Sequence, residues 1–101
     1  MTMTNRMQPV HPGEILREEL ETLGMSARSL ALALDVPANR ITAILNRQRS
    51  ITADTALRLS RYLGTTAEFW LSLQNNHDLR VAEIESGERI AQTVEPRNEA
   101  A

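Results

Sequence analysis

Residues 26–46 read SARSLALALDVPANRITAILN, two short amphipathic segments separated by a turn. Apolar residues fall at positions 30, 31 and 34 of the first segment and at 41, 44 and 45 of the second, which is the spacing of a helix stripe. Ala31 lies where the two segments would cross, and a methyl-sized side chain lets helices approach closely there. The pattern therefore predicts two short helices held together at a fixed angle.

The turn between these helices contains Asp35 and Val36. Helix-turn-helix segments usually carry glycine at this turn, because the backbone there adopts positive φ. Aspartate is one of the few other residues that tolerate positive φ. We therefore interpret residues 26–46 as a helix-turn-helix unit with Asp35 in the left-handed region, small enough to enter the major groove of DNA.

The composition of the 101-residue chain indicates a single small domain. Leu, Ile, Val and Ala supply nearly all of its apolar residues, and Tyr, Phe and Trp occur once each. A chain of this length buries about two-thirds of its unfolded surface around one core. Because residues 12–80 contain no convincing alternating pattern of the kind that strands show, we predict an all-α fold.

Several classes of protein are excluded by what the sequence lacks. Without cysteine there is neither a disulfide framework nor a thiolate metal site. Residues 1–10 lack the apolar core of a signal peptide, and no apolar run approaches the roughly 20 residues of a membrane span. We therefore expect a cytoplasmic protein with no metal and no other cofactor.

The net charge of −2 hides a segregation of charge along the chain. Residues 26–61 carry six arginines and two aspartates, a net charge of +4, whereas residues 1–25 sum to −2 and residues 62–101 to −4. The basic charge thus coincides with the predicted helix-turn-helix, which favours a nucleic-acid partner. Lysine is absent, a feature that suits bidentate guanidinium contacts but also follows from a GC-rich coding bias.

Capping residues and helix breakers divide the chain into five predicted helices, over residues 11–24, 26–34, 37–46, 52–64 and 65–83. Gly24 and Gly64 suit left-handed caps, and Thr65 stands at capping-box spacing from Glu68. The predicted buried stripes of the first, fourth and fifth helices are Ile15, Leu16, Leu20 and Leu23; Ala56, Leu57, Leu59 and Leu63; and Phe69, Trp70 and Leu73, with His77 as a further candidate.

We divide the chain into a flexible leader (1–10), a helix-turn-helix domain (11–84) and a C-terminal tail (85–101). The leader holds three methionines and shows no periodicity. In the tail the apolar periodicity fades and Ser86, Gly87 and Pro96 appear, so we predict weak order there. Residues 89–94 could form a strand that pairs with a copy of itself or with another chain.

The third helix is the predicted recognition helix, because its polar and small residues fall opposite its apolar stripe. Asn39 is the first choice for base contact, since an asparagine amide can bond adenine at two atoms. Arg40 can pair with guanine or grip a phosphate. Ala38 and Ala43 permit close approach to the groove or contact a thymine methyl group.

Residues around this helix suit contacts with the DNA backbone. Arg47 and Arg49 follow the helix, and the Ser26 hydroxyl lies with Arg28 at the start of the second helix. For each arginine alone, a solvated surface charge is the stronger interpretation, and only the cluster favours DNA binding. The complete predicted DNA-binding set is Ser26, Arg28, Ala38, Asn39, Arg40, Thr42, Ala43, Arg47 and Arg49.

A single reading unit buries little DNA surface, so we predict a homodimer. Proteins of this kind bind two half-sites about one helical turn apart, roughly 34 Å. The fifth helix and the tail lie outside the reading unit and are therefore the available interface. Trp70 is predicted to be a core or dimer contact.

Three further segments carry a resemblance to a known family. They read HPGEIL at residues 11–16, ITADTALRL at 51–59 and EFWLSLQ at 68–74. Together they resemble the HigA-type antitoxins of the lambda-repressor-like helix-turn-helix group over residues 11–84. The resemblance implies an antitoxin that neutralises a small basic ribonuclease toxin of the RelE-like class and that, as a dimer, represses the operon encoding both proteins.

The first helix turns an acidic face to one side, formed by Glu14, Glu18 and Glu21 with Arg17 among them. A solvated surface is the ordinary interpretation of such a face. The resemblance adds weight to the other interpretation, a docking surface for a basic partner.

Other functions compete with the antitoxin. A plain helix-turn-helix transcriptional regulator without a toxin partner would show the same residues 26–61. A protein-binding module that has lost its operator would show no salt-dependent DNA binding. An enzyme has little support, because His11 and His77 are isolated in the sequence and neither a glycine-rich phosphate loop nor a convergent carboxylate pair occurs.

Overall fold

A computed structural model describes residues 9–97 of the chain. These residues form five helices and no strand: α1 (Pro12–Leu23), α2 (Ala27–Leu34), α3 (Ala38–Leu45), α4 (Ala53–Leu63) and α5 (Ala67–Thr93). The predicted all-α, five-helix fold is confirmed. None of these helices combines the length and the apolarity that crossing a membrane requires, within the part of the chain described.

Local capping explains where α1, α2 and α4 begin and end. The Nδ1 atom of His11 accepts from the backbone N–H of Gly13 at 2.9 Å, with proline in the first turn of α1. The hydroxyls of Ser26 and Thr52 cap α2 and α4 in the predicted way. The left-handed closures are Gly24 (φ 67°), Asp35 (φ 60°) and Gly64 (φ 81°). The predicted positive φ at Asp35 is therefore confirmed.

Helices α2 and α3 pack against each other as predicted, with Ala31 buried. Ala31 is 1% exposed, and its carbonyl accepts from the backbone N–H of Val36 at 3.0 Å, which closes the turn. Leu30 and Leu34 of α2 pack with Ile41 and Ile44 of α3 in one buried cluster. The complete cluster is Leu16, Leu20, Leu30, Ala31, Leu34, Ile41, Ile44, Ile51, Ala56, Leu59 and Trp70.

Three residues predicted to be buried are exposed instead: Leu23, Leu57 and Phe69. The buried arc of each helix is narrower than its apolar stripe. In α4 it passes through Thr55, Ala56 and Leu59, which leaves Leu57 62% exposed. In α5 the buried arc passes through Trp70 and Gln74, which lie one helical turn apart. Phe69 precedes Trp70 and therefore points about 100° away from this arc.

The start of α5 differs from the prediction by one residue. Thr66, not Thr65, is its N-cap, and the Thr66 hydroxyl accepts from the backbone N–H of Phe69 at 3.0 Å. The Thr65 hydroxyl instead accepts from the indole Nε1–H of Trp70 at 2.8 Å. Trp70 is therefore buried, and its indole N–H has a hydrogen-bond partner. Of the two predicted roles, core contact and dimer contact, the structure shows the core contact.

The end of α5 was predicted wrongly. The helix continues to Thr93, ten residues past the predicted end at 83, and residues 89–93 are helical, so the predicted strand over 89–94 was wrong. Gly87 lies within a helix, which costs only about 1 kcal/mol relative to alanine, so it was a weak breaker. The helix crosses the boundary that was predicted between the domain and the tail, at 84/85. Residues 1–8 of the predicted leader and 98–101 of the predicted tail lie outside the described residues.

The second half of α5 extends away from the other helices. The fully buried residues of α5, Trp70 and Gln74, both lie in its first eight residues. Beyond them Leu79, Ile84 and Ile90 are exposed. The described part of the chain measures 55 × 29 × 22 Å, which reflects this projection.

Candidate nucleic-acid interface

Helix α3 presents one face to the core and the other to solvent. Ile41 and Ile44 are fully buried, whereas Ala38, Asn39 and Thr42 on the other face are exposed. Pro37 is the N-cap and provides no side-chain capping bond. The backbone N–H of Arg40 donates to the Pro37 carbonyl at 3.0 Å, whereas those of Ala38 and Asn39 have no acceptor among residues 9–97 and are left for an external one. The arrangement can insert the start of α3 into a groove while its other face remains packed.

Helix α1 supports α3 from behind through an unusually close contact. A methyl group placed on Gly13 would overlap the backbone carbonyl oxygen of Ile44. Beside this contact, the Arg17 guanidinium donates to the carbonyl of Leu45 at 3.1 Å. Gly13 is therefore required by the approach of two helices, not by its φ angle, and α1 anchors the C-terminal end of α3.

The loop between α3 and α4 is anchored by a residue that the sequence analysis missed. Gln74 is buried, and its Oε1 accepts from the backbone N–H of Ile51 at 2.7 Å. Its Nε2 donates to the Asp78 carboxylate at 2.9 Å. The available clue was its position one turn after Trp70, on the buried arc of α5. This bond ties the segment that carries Arg47 and Arg49 to the core.

Replacing Gln74 with leucine should destabilise the fold by about 1–3 kcal/mol, because it leaves the buried N–H of Ile51 without an acceptor. Urea denaturation measures the loss. Asn75→Leu, at the exposed neighbouring position, is the control and should change stability by less than about 0.5 kcal/mol. Equal stability of the two variants would show that the Gln74 bond does not hold the loop.

The predicted arginines differ in how much freedom the structure leaves them. Arg28 and Arg49 are exposed, and neither has an ion-pair partner among residues 9–97. Arg47 lies 3.4 Å from the Glu14 carboxylate and has φ 62°, a left-handed conformation that the sequence did not indicate. Arg28 and Arg49 are thus the predicted cations most available to a phosphate.

Arg40 is held more firmly than predicted. Its side chain is only 24% exposed, and its guanidinium contacts the Asp54 carboxylate at 2.7 Å. Arg58 contacts the same carboxylate oxygen at 2.9 Å. Hydrogen bonds from Arg58 and then from Arg40 keep the pKa of Asp54 below its ordinary value. The structure therefore turns Arg40 towards α4 and leaves Asn39 as the exposed polar side chain in the first turn of α3.

The two predicted hydroxyl contacts are partly occupied within the chain. The Ser26 hydroxyl accepts from the Ser29 N–H at 3.0 Å and donates to the Ser29 hydroxyl at 3.1 Å. The Thr42 hydroxyl donates to the Ala38 carbonyl at 3.1 Å. Each keeps acceptor capacity only, so a phosphate oxygen, which also only accepts, would have to displace these bonds.

The two histidines, isolated in the sequence, are neighbours in the structure. The rings of His11 and His77 meet edge to face with centroids 4.8 Å apart, and His77 also contacts Asp78 at 3.1 Å. Burial of the ring is the main cause that lowers the pKa of His11 below its ordinary value of 6.5, and the nearby His77 lowers it further. The pair joins the start of α1 to α5, and no group of three potential metal ligands occurs among residues 9–97.

Lowering the pH should destabilise the fold. Because the pKa of His11 is lower in the folded chain than in the unfolded chain, the unfolded chain takes up the proton first. The contribution of neutral His11 to the free energy of unfolding is fully present above pH 6.5, and it is lost as the pH falls through the lower pKa that His11 has in the folded chain. Urea midpoints across this range measure the effect. His11→Asn keeps a capping acceptor and should flatten the profile; an unchanged slope would contradict the assignment.

Comparison with known proteins agrees with this architecture. A helix-turn-helix family model matches residues 16–70. Virulence-associated protein I of Dichelobacter nodosus is 56% identical over 78% of this chain and 74% of its own length. The solved addiction module antidote protein of a HigA family from Coxiella burnetii is 58% identical, with TM-score 0.88, over 90% of this chain and 100% of that one.

A second solved structure contains DNA. It is the Pseudomonas aeruginosa antitoxin HigA with the higBA promoter, 45% identical to this chain with a TM-score of 0.85. The match covers 87% of this chain and 97% of that protein. On these matches, and on the buried crossing at Ala31, the chain belongs to the helix-turn-helix family and, within it, to the HigA-type antitoxins.

Proposed function

We propose that the protein is an antitoxin and autorepressor: it binds the operator of its own operon through α3 and neutralises a small basic RelE-like ribonuclease encoded beside it. The exposed face of α3 in a chain of the HigA type is the observation that carries the proposal. The promoter complex of a relative that is 45% identical supports it.

In the proposed complex Asn39 reads an adenine, because its side chain is exposed in the first turn of α3. Ala38, Thr42 and Ala43 line the same insertion into the groove. Arg28 and Arg49 bind phosphates most directly, with Ser26 and Arg47 beside them. Arg40 must first leave the Asp54 carboxylate, and Arg47 the more distant Glu14 carboxylate.

We further propose that the protein binds DNA as a homodimer through the second half of α5. Most helical stability in proteins comes from packing of an apolar face against other elements, yet α5 continues for 19 residues beyond its last buried residue, Gln74. Ile84 and Ile90 are half exposed on this projection, where a second copy would cover them. Two recognition helices could then serve two half-sites roughly 34 Å apart.

Replacing Ile84 with glutamate should convert the dimer to a monomer and weaken operator binding at least about tenfold, since a charged residue would be buried in the interface. Light scattering after gel filtration measures the mass, and fluorescence anisotropy measures the affinity. Leu57→Glu, at another exposed apolar position, on α4, is the control and should leave the mass unchanged. A dimeric Ile84 variant would place the interface elsewhere.

The acidic face of α1 is the proposed docking surface for the toxin. Within the described residues Glu14 is paired with Arg47, and Arg17 is bonded to the Leu45 carbonyl. Glu18 and Glu21 remain exposed for a basic partner. Reversing both charges should weaken copurification of the toxin while leaving operator binding unchanged.

Two measurements test the proposed function. Binding to the protein's own promoter fragment should fall steeply between about 50 and 200 mM salt, as phosphate contacts require. Binding that is flat or undetectable would favour a protein-binding module. Coexpression with a neighbouring small basic reading frame should rescue growth from that gene's toxicity; the absence of such a gene would favour a plain transcriptional regulator.

A further inference from the structure

Asp54 lies in the first turn of α4 and links it to the first turn of the recognition helix. One oxygen of its carboxylate accepts from Arg40 at 2.7 Å and from Arg58 at 2.9 Å. The carboxylate is 56% exposed, so it is not held there by burial. A negative charge thus lies between two arginines, one of which, Arg40, belongs to the first turn of α3.

The two arginines that share this carboxylate are anchored differently. Arg58 also donates to the backbone carbonyls of Leu34 at 2.9 Å and Asp35 at 3.4 Å. The Arg40 side chain has no hydrogen-bond partner other than Asp54 within residues 9–97. Without the carboxylate the two guanidinium groups would repel each other, and Arg40, the less anchored of the two, would move outward.

We propose that Asp54 is a specificity-determining residue, which holds Arg40 away from the DNA phosphates so that base contacts of α3, and not charge alone, select the operator. The proposal rests on the proposed operator binding. A released arginine beside Asn39 could bind a phosphate on any sequence. Random DNA, on which no base contact fixes the position of α3, would gain more affinity from this contact than the operator, on which base contacts already fix that position. Asp54 acts through Arg40 and is a positioning residue.

The test compares the wild-type protein with Asp54→Asn on operator and random duplexes across a salt series. The variant should bind random DNA several-fold more tightly, and its slope of log affinity against log salt should steepen by about 0.9, the value of one added phosphate contact. The gain over wild type should therefore shrink about threefold between 50 and 200 mM salt. The ratio of operator to random affinity should fall.

Two controls separate release of Arg40 from the simple loss of a negative charge. In an Arg40→Gln background, Asp54→Asn should change the slope little, because no arginine is released. Glu68→Gln removes a carboxylate from the equivalent second position of α5, where it has no ion-pair partner among the described residues, and should leave the slope unchanged. Circular dichroism confirms that each variant is folded.

An unchanged slope for Asp54→Asn would overturn the proposal, as would the same slope change in the Arg40→Gln background or in Glu68→Gln. Failure of the proposed function looks different, because the wild-type protein would then bind its own operator no better than random DNA. That result would remove the operator-selection role of Asp54 as well.

Discussion

Replacing Gly13 with alanine should destabilise the fold by about 3 kcal/mol, at the upper end of the range for overpacking. The added methyl group would overlap the carbonyl oxygen of Ile44, a backbone atom that cannot rotate away as a side chain can. Relief requires α1 to move away from α3 and to lose the bond from Arg17 to Leu45. Urea denaturation measures the stability, and operator binding should weaken as α3 loses its support.

Gly87→Ala is the matched control for this prediction. It lies within α5, and its added methyl group would meet only the Cβ of Glu83, at 3.8 Å, an ordinary contact. Alanine is favoured over glycine within a helix by about 1 kcal/mol, so this variant should be slightly more stable than the wild-type protein. A Gly13→Ala variant as stable as Gly87→Ala would show that α1 and α3 do not approach so closely.

Replacing Asn39 with alanine should cost about 1–3 kcal/mol of operator affinity, or about 5- to 150-fold in Kd, with little effect on random DNA. The exposed amide in the first turn of α3 can make two bonds to an adenine edge, which no other base offers in the same pattern. Fluorescence anisotropy on both duplexes measures the difference. Equal losses on the two would remove Asn39 from base recognition.

Arg47→Ala is the contrasting variant, because a phosphate contact carries no sequence information. It should weaken binding to operator and random DNA alike and reduce the salt slope by about 0.9. Alanine has the same Cβ as arginine, so the left-handed backbone at φ 62° is strained equally in both proteins. A loss confined to the operator would assign Arg47 to a base.

Much of the fold was predictable because its signals are local. His11, Ser26 and Thr52 cap helices by bonding to amides two or three residues away. The positive φ of Asp35 depends on the tolerance of that residue type for the left-handed region. Such features need no knowledge of the rest of the chain. The crossing at Ala31 was also predictable, because a small residue at that position of a helix-turn-helix has one main use.

The errors occurred where neighbours distant in sequence decide the outcome. Leu57 is apolar and helical, yet no other element among residues 9–97 covers it. The second half of α5 contains a glycine, and its apolar and polar residues fit the spacing of a strand as well as that of a helix, so its helical state was not evident. The role of Gln74 was missed because its partner, the backbone N–H of Ile51, lies 23 positions away in the sequence.

The amino-acid order of this chain was enough to define the capped helices, the helix-turn-helix and the basic segment, because hydrogen bonds and apolar spacing within a few residues encode them. The close approach of Gly13 to Ile44, the anchoring of the loop by Gln74 and the capture of Arg40 by Asp54 depend on packing between separate helices. Those contacts form only when the helices assemble, and they determine which side chains remain available to DNA.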